Sequence, residues 1–396
     1  MILVVAMGLA VLLSVGALAL TLANLRLYCP SPADATSPES DSDAPLVSVC
    51  VPARNEEANI EACVRSLLAG DVERIEVLVY DDQSDDDTPR ILERLAAEDH
   101  RVRPLAAVPL PEGWNGKQHA CWRCAAEARG SMLLFTDADV RFEPDCIRRA
   151  LAAWRALDDA KGPGGREPEA PLGLVSTFPR QITASLGEAL LVPMIFFVLF
   201  AYLPMFRMRG TTDPAASAAC GQFLLVSRGC YDALGGHTAF KDTMHDGVMM
   251  PRAARRAGYR TDLFDGTDLA SVRMYAGWTA TWRGFAKNAF EGLGSLGLLV
   301  ALTVMHLLGH ALPWLVGLAG VIRGQWADPS PGLVLAGVAI ALQVLQRLLL
   351  AARFRLPLAT AVLHPLGVLA MTAVQWDSLR RHATGTRSWR GRVAGA

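Results

Sequence analysis

Long blocks with almost no polar residue flank a stretch in which apolar positions recur with strand and helix periods. The first block, residues 1–25, carries no charge, and the first basic residue, Arg26, follows it. A run of this length crosses the ~30 Å hydrocarbon core of a bilayer as a helix. A basic residue after the run favours an uncleaved anchor over a signal peptide, with the following chain inside. Further apolar blocks lie at 293–322, 332–352 and 357–376, each long enough to span, although His306, His310, Gln343, Gln346 and Arg347 interrupt them. A block at 186–206, interrupted by Pro193 and Pro204, reads as a span, a re-entrant piece or an interfacial helix. Three full C-terminal spans after an inside domain would put the basic tail RRHATGTRSWRGR outside, against the positive-inside rule. One block is therefore expected to be re-entrant or interfacial, and 293–322, broken at GHALP, is the first choice.

Between these blocks the pattern changes character. LVSVCVP, RIEVLVYDD, VRPLAAV and SMLLFTDAD read as strands. EEANIEACVRSLLAG, DDTPRILERLAAED and GKQHACWRCAAEARG read as the helices between them, the second capped by Asp86 or Asp87 and the third stopped by Gly130. This alternation predicts an α/β domain with a mostly parallel sheet covered on both faces, which binds ligands at the carboxyl ends of its strands. PARNEE, YDDQSDDD and TDADV all occupy that position and should converge on one rim. Residues 26–45 read as a flexible linker and 158–171 as a loop insertion.

Composition adds limits. The chain has 396 residues, 52% of them hydrophobic, and a net charge of −1, which implies no nucleic-acid footprint. Eight scattered cysteines include a CxxC pair, Cys121 and Cys124, with no partner at zinc spacing, so free core thiols are expected.

The candidate chemistry sits at the predicted rim. Of three Asp-x-Asp matches, Asp41/Asp43 falls in the linker and Asp85/Asp87 overlaps a helix cap. Only Asp137/Asp139 ends a buried-type strand, where residues two apart would share a face. Hard divalent cations take oxygen ligands, and Mg²⁺ uses one or two carboxylates plus substrate phosphates. The competing reading is a carboxylate pair that caps the next turn or pairs with Arg141. Asp81 and Asp82 end the second strand, where a carboxylate can accept from a base N–H or ribose hydroxyls; turn chemistry is the alternative. Pro52, Arg54 and Glu56 follow the first strand and are placed to frame a nucleotide. Lys117 lies at a helix N-terminus, where a cation opposes the helix dipole, which favours an anionic partner such as a diphosphate. Asp246, next to His245, is a candidate general base. Arg273 suits phosphate, and Trp278 a sugar ring or the lipid interface.

Taken in order, VSVCVPARNEE, LVYDDQSDDDT, GWNGK, FTDADV, HD, an Arg/Trp element and the terminal apolar blocks resemble the membrane-bound inverting glycosyltransferases of family 2. The likeness covers about residues 46–300 and the tail, with GWNGK similar to the hopanoid-associated and carotenoid-type bacterial enzymes and, more distantly, to ceramide glucosyltransferase. It implies a GT-A nucleotide-sugar-binding domain at 46–290, carrying the 186–206 segment. Around it would lie an anchor at 1–25, C-terminal transmembrane or re-entrant helices at 291–378 and a basic tail at 379–396. It assigns the nucleotide-sugar to Pro52, Arg54, Glu56, Asp81, Asp82, Lys117, Asp137, Arg273 and Trp278. Mg²⁺ or Mn²⁺ would go to Asp139 and Asp137, and the catalytic base would be Asp246. The family's Arg-Trp element departs here: RMYAGW has one residue too many, and Trp282/Arg283 is the other candidate. The implied activity moves a hexose from a nucleotide-diphosphate sugar, with UDP expected, to a lipid such as a hopanoid, carotenoid or sphingolipid. The site would face the cytoplasm in a bacterial inner membrane. A processive polysaccharide synthase and an inactive membrane scaffold are the competing readings.

Overall fold

The computed structural model describes residues 1–32, 45–160, 168 and 170–386, and the backbone of 388–389 and 392–393. Helix α1 (Ile2–Leu27) precedes β1 (Val47–Ala53), α2 (Ile60–Leu68), β2 (Ile75–Asp81), α3 (Thr88–Glu98) and β3 (Val102–Leu105). Then come α4 (Gly116–Glu127), β4 (Met132–Phe135), β5 (Arg141–Phe142), α5 (Cys146–Asp158), β6 (Leu172–Ser176) and β7 (Arg180–Gln181). The next elements are α6 (Leu186–Leu191), α7 (Met194–Tyr202), α8 (Met205–Gly210), β8 (Leu224–Ser227), α9 (Arg228–Ala233), α10 (Asp246–Arg256), β9 (Arg260–Leu263) and β10 (Ala270–Val272). Helices α11 (Gly277–Ala286), α12 (Ala289–Leu293), α13 (Leu296–Met305), α14 (Leu312–Ile322), α15 (Pro331–Phe354), α16 (Ala359–Val362) and α17 (His364–Ala383) follow, and β11 (Ser388–Trp389) pairs with β12 (Arg392–Val393). The chain divides into a helical unit (Met1–Leu27, Gln181–Pro204, Met274–Thr384) and an α/β unit holding most of the rest.

The α/β unit is built on a seven-stranded sheet of order β3-β2-β1-β4-β8-β6-β9. It is mostly parallel; β8 runs antiparallel to both β4 and β6. Side chains alternate between two cores, as a period of two requires. Val49, Val51, Val77, Val79 and Leu134 meet α2, α3 and α5 on one face. Cys50, Leu78, Tyr80, Leu133 and Phe135 meet α4, α9 and α10 on the other. Burying both faces is what makes the central strands read as continuous apolar runs. Helix α4 ends at Glu127, before Gly130, so that glycine is not its stop. Gly130 instead permits close approach: its N–H donates to Ser48 Oγ at 2.8 Å, and a Cβ there would lie 2.5 Å from the Leu46 carbonyl. All eight cysteines are free thiols, and all but Cys29 are buried. Within the expected linker, Tyr28 is buried beside Thr177. Residues 33–44, with Asp41 and Asp43, most of the expected insertion (161–167 and 169) and part of the basic tail lie outside the described residues.

The helical unit corrects two expectations. The 293–322 block is not broken at GHALP. Helices α13 and α14 are joined by a π-helical turn, His306–Ala311, into one helix from Leu296 to Ile322. Pro313 lies inside this continuous helix, just after the π-helical turn, where its missing N–H removes a backbone hydrogen bond; the Gly309 carbonyl one turn earlier accepts from Gln343 Nε2 at 2.8 Å. The block that does divide is 357–376: Pro357 and Pro365 frame a four-residue α16 followed by α17, which ends in Asp377, Arg380 and Arg381. Among the described residues, three helices are long and apolar enough to cross a membrane: Ile2–Leu27, Leu296–Ile322 and Pro331–Phe354. Leu186–Tyr202 is apolar but shorter.

Polar groups that interrupt the apolar pattern of these helices face inward. His306, His310, Gln343, Gln346 and Arg347 are buried, while Val338, Leu345 and Leu348 are exposed. Gln343 donates to Ser14 Oγ (3.0 Å) and the Gly309 carbonyl (2.8 Å) and accepts from Trp314 Nε1 (2.8 Å). Gln346 donates to Thr21, Asn24 to the Phe200 and Leu203 carbonyls, and Arg347 to the Pro193 carbonyl, which also accepts from Phe197 N–H at the start of α7. Apolar outside and polar inside is the pattern of helices that pack in lipid.

Candidate active site

Strand register sets the rim. Ala53 lies opposite Asp81, and Cys50 opposite Phe135, so the segments after β1, β2 and β4 leave the sheet side by side. Hydrogen bonds carry this past the strand ends: Asp82 N–H donates to the Ala53 carbonyl (2.8 Å) and Thr136 N–H to the Cys50 carbonyl (3.2 Å).

The loops after β1 and β2 are laced together. Arg54 donates to the Asp82 and Gln83 carbonyls, Asn55 N–H to Ser84 Oγ, and Asp85 N–H to Asn55 Oδ1. Asn55 and Gln83 adopt positive φ, 52° and 56°. Left-handed backbone at non-glycine residues costs energy and concentrates at functional loops. Pro52 is the penultimate residue of β1. Glu56 is buried and accepts from Asn59 Nδ2 at 2.9 Å. Asp81 accepts from the N–H and hydroxyl of Ser84, and Asp82 is buried. Asp86 accepts from Thr88 N–H at 3.0 Å, so the turn reading holds for that carboxylate. Thus Arg54 and Glu56 bind the protein's own loops here, and Asp82 is brought to Arg54 through its backbone.

The Asp137/Asp139 pair is arranged differently from expectation. Strand β4 ends at Phe135, and the two aspartates follow in a turn that Val140 N–H closes on the Asp137 carbonyl. The strand rule that residues two apart share a face therefore does not govern them. Arg141 donates to the Val140 carbonyl and Asn59 Oδ1, not to either carboxylate. Asp137 is taken by Lys117: Nζ lies 2.6 Å from Asp137 Oδ1 and 2.8 Å from Asp246 Oδ2.

This lysine bridge is the centre of the site. Asn115 caps α4, accepting from Lys117 N–H (3.0 Å) and Gln118 N–H (3.4 Å), which fixes Lys117 in the first turn. Burial works against the charged ammonium, but Asp137 and Asp246 outweigh it and hold the Lys117 pKa well above the usual lysine value. Asp246 opens α10, where the helix dipole favours an anion, and its Oδ1 accepts from Gly247 N–H at 2.8 Å. Burial pushes the Asp246 pKa up; the Lys117 charge and hydrogen bond win and bring it below the usual carboxylate value. The expected anionic partner of Lys117 thus exists inside the protein as two carboxylates.

Three residues were missed by the sequence reading. A Cβ on Gly221 would lie 2.3 Å from Asp246 Oδ1, so only glycine lets this carboxylate rest against the backbone before β8. Asn115, two residues before a lysine at a helix start, carries a capping signature that could have identified it. His237 is buried, donor or acceptor to the Tyr231 hydroxyl at 2.7 Å, and packs its ring on Phe135. Burial lowers its pKa to about 3, so it is neutral, and no local sequence pattern marks it. Arg273 is exposed just beyond β10 in the α/β unit. Trp278 belongs to α11 in the helical unit, as do Trp282 and Arg283.

The donor set suits a hard cation. Among the described residues no group of three or more His, Cys, Asp or Glu is placed to hold a metal. Asp137 and Asp139 offer two carboxylates, the number Mg²⁺ uses when substrate phosphates complete its shell.

Residues 48–166 match the sequence model of Glycosyl transferase family 2. The 4,4'-diaponeurosporenoate glycosyltransferase of Staphylococcus aureus (strain USA300) is 25% identical over 285 residues, covering 70% of this chain and 68% of that one. A solved structure, the mannosyltransferase PcManGT from Pyrobaculum calidifontis in complex with GDP-Man and Mn²⁺, superposes with a TM-score of 0.55. It is 20% identical and covers 96% of this chain and 99% of its own. The architecture is that of the GT-A fold.

Proposed function

We propose that this chain, a family 2 glycosyltransferase, moves a hexose from a nucleotide-diphosphate sugar to a lipid acceptor with inversion at the anomeric carbon. The observation that carries the reading is Lys117 bridging Asp137 and Asp246, which joins the donor rim to a candidate base. In this reading Asp81 and Asp82 take the nucleoside, with Pro52, Arg54 and Glu56 shaping the loop around it. Asp137 and Asp139 would hold Mg²⁺ or Mn²⁺, which supplies charge neutralisation at the diphosphate. Lys117 adds a fixed positive charge beside the leaving group. Asp246 accepts the proton of an acceptor hydroxyl as that oxygen attacks the anomeric carbon, and a single displacement through an oxocarbenium-like state inverts it. Support for a lipid acceptor comes from the staphylococcal relative, whose name specifies a carotenoid-type substrate, and from the three apolar helices. The donor nucleotide is left between UDP, expected from the resemblance, and GDP, which PcManGT binds.

Mass spectrometry of lipid extracts from cells with and without the gene tests this. A glycolipid lost with the gene, and restored in vitro by UDP-glucose or GDP-mannose with Mn²⁺, is the expected result. Unchanged lipids and a long polysaccharide product would favour a processive synthase instead. No turnover and no metal-dependent donor binding would favour a scaffold.

The helix lengths also support a topology. With α1 running outside to inside, Leu296–Ile322 returns outward and Pro331–Phe354 inward, which leaves α17 and the basic tail on the cytoplasmic side. Arg26, Arg353 and Arg355 then lie inside. The membrane is the plasma membrane of a bacterium in this reading. Reporter fusions after residue 327 and after residue 386 should report outside and inside respectively; the reverse pair would sink the assignment.

A further inference from the structure

Helix α11 is held at two points within the helical unit. At its start, Gly277 N–H donates to Glu188 Oε1 at 2.7 Å, and Glu188 is itself buried. Gly187 leaves room for the Trp278 backbone, since a Cβ there would lie 2.9 Å from Trp278 Cα. One turn on, Trp282 Nε1 donates to Asp377 Oδ2 at 3.0 Å. The same carboxylate accepts from Arg381 Nε at 2.9 Å and Arg380 at 2.7 Å. Burial acts against this charge, but the donors outweigh it and bring Asp377 down to about 2, so it stays ionised as an anchor.

Beside this anchor is a cavity of about 320 Å³ lined by Trp278, Thr279, Trp282, Arg283 and Arg381. The two indoles lie side by side, 5.4 Å between centroids, and Trp278 is 46% exposed. The Arg283 guanidinium is exposed and has no hydrogen-bond or ion-pair partner among the described residues. Arg380 and Arg381 share the Asp377 carboxylate, and Arg283 lines the same cavity as Arg381 with no carboxylate of its own, so the local charge is positive. Nine residues separate the end of α11 from the start of the Leu296–Ile322 helix. Tryptophan and arginine at the end of a spanning helix sit at headgroup depth, and anionic headgroups attract basic side chains there.

We propose that Trp278, Trp282, Arg283 and Arg381 form a binding site for the phosphate of an anionic membrane phospholipid. The indoles would cover the glycerol and upper acyl chain while the guanidiniums take the phosphate oxygens. Its role would be to fix α11 at the bilayer surface. The inference rests on the membrane reading above but needs neither the donor nor the acceptor assignment, because its readout is binding rather than turnover.

The test uses the full chain in nanodiscs of phosphatidylcholine alone or mixed with phosphatidylglycerol, with bound lipid counted by native mass spectrometry. Wild type should retain phosphatidylglycerol over phosphatidylcholine. Arg283→Gln should lower that preference about fivefold, the effect of one basic side chain at an anionic surface. Trp278→Leu, which keeps the charge, should also lower it, because a shaped site and not only a basic surface is proposed. Both positions are exposed, and unchanged thermal unfolding would show that the variants fold. Equal preference in wild type and both variants overturns the site. So does displacement of the lipid by millimolar inorganic phosphate, which would assign the cavity to a free anion. A raised KM for the nucleotide-sugar with unchanged lipid retention would overturn it too, by returning Trp278 to the donor.

Discussion

The two units treat buried polar groups in opposite ways. In the α/β unit the core between sheet and helices is apolar, and Lys117, Asp137 and Asp246 form one partly buried charge knot at the rim where strands end. In the helical unit many apolar side chains face out while polar ones lie inside, several of them bonded to amides, hydroxyls and carbonyls, with few formal charges. The difference shows where each unit meets its surroundings. A charge knot is costly to bury and is kept where chemistry needs it. A neutral hydrogen-bonded interior holds helices together where apolar contacts alone give no preference for a partner over lipid.

The sharpest way to break this contrast is to remove the base. Asp246→Asn keeps the shape of the side chain and loses the proton acceptor. Transfer to an acceptor hydroxyl should fall by about 10³-fold or more, with donor affinity within a few-fold of wild type. Donor binding by calorimetry beside a single-turnover transfer assay would check it. An acceptor carboxylate, ionised at neutral pH, carries no proton to remove. Transfer that survives in the variant would therefore remove Asp246 as the base and point to a carboxyl acceptor.

Lys117→Met probes the same knot from its positive side. Asp246 would keep its burial and lose the charge that offsets it, so its pKa should move from below to above the usual carboxylate value. In wild type the folded pKa of Asp246 is depressed. Its contribution to stability is present above the unfolded carboxylate pKa of about 3.9 and is lost as pH falls through the lower folded value. In the variant the sign reverses: the carboxylate destabilises the fold at neutral pH, and acidification relieves it. The acid limb of kcat/KM should shift upward, and kcat at neutral pH should drop about 10²-fold. A pH–rate profile with an unmoved acid limb would show that Lys117 does not set the charge state of Asp246.

How much of this could be read from the chain follows the same division. The sheet was legible because strands buried on both faces write continuous apolar runs, as VSVCVP and IEVLVY do, and because their carboxyl ends carry the polar residues. The Lys117 bridge was legible in part. A lysine at a helix start signalled a missing anion, but contacts more than a hundred residues apart, such as Lys117 with Asp246, leave no local pattern. The Asp137/Asp139 geometry was misjudged by two residues, since β4 stops at Phe135 and the strand rule was extended past its end. The helices Ile2–Leu27 and Pro331–Phe354 were legible as apolar runs, and only the break expected inside 293–322 was misjudged, for a physical reason. His306 and His310 looked like interruptions because hydropathy averages over a helix and cannot see which side a residue faces; here they face inward.

The smallest expected effect tests the other half of the contrast. Gln343 lies at the centre of the helical interior, joining Ser14 of α1, the Gly309 carbonyl of the π-helical turn and Trp314 of α14. Leucine has nearly the same volume and none of the hydrogen bonds. Each lost bond is modest, because measured interhelical hydrogen bonds in membranes average about 0.6 kcal/mol. The partners left behind are not equal. The Ser14 hydroxyl can turn back to a carbonyl of its own helix, whereas the Trp314 N–H has no such local alternative. Gln343→Leu should therefore cost about 1–2 kcal/mol, visible as a lower midpoint of thermal unfolding in lipid nanodiscs, with kcat within about twofold of wild type. If stability held and transfer collapsed, the interior of the helical unit would be part of the acceptor machinery, and the division of labour between the two units would have to be redrawn.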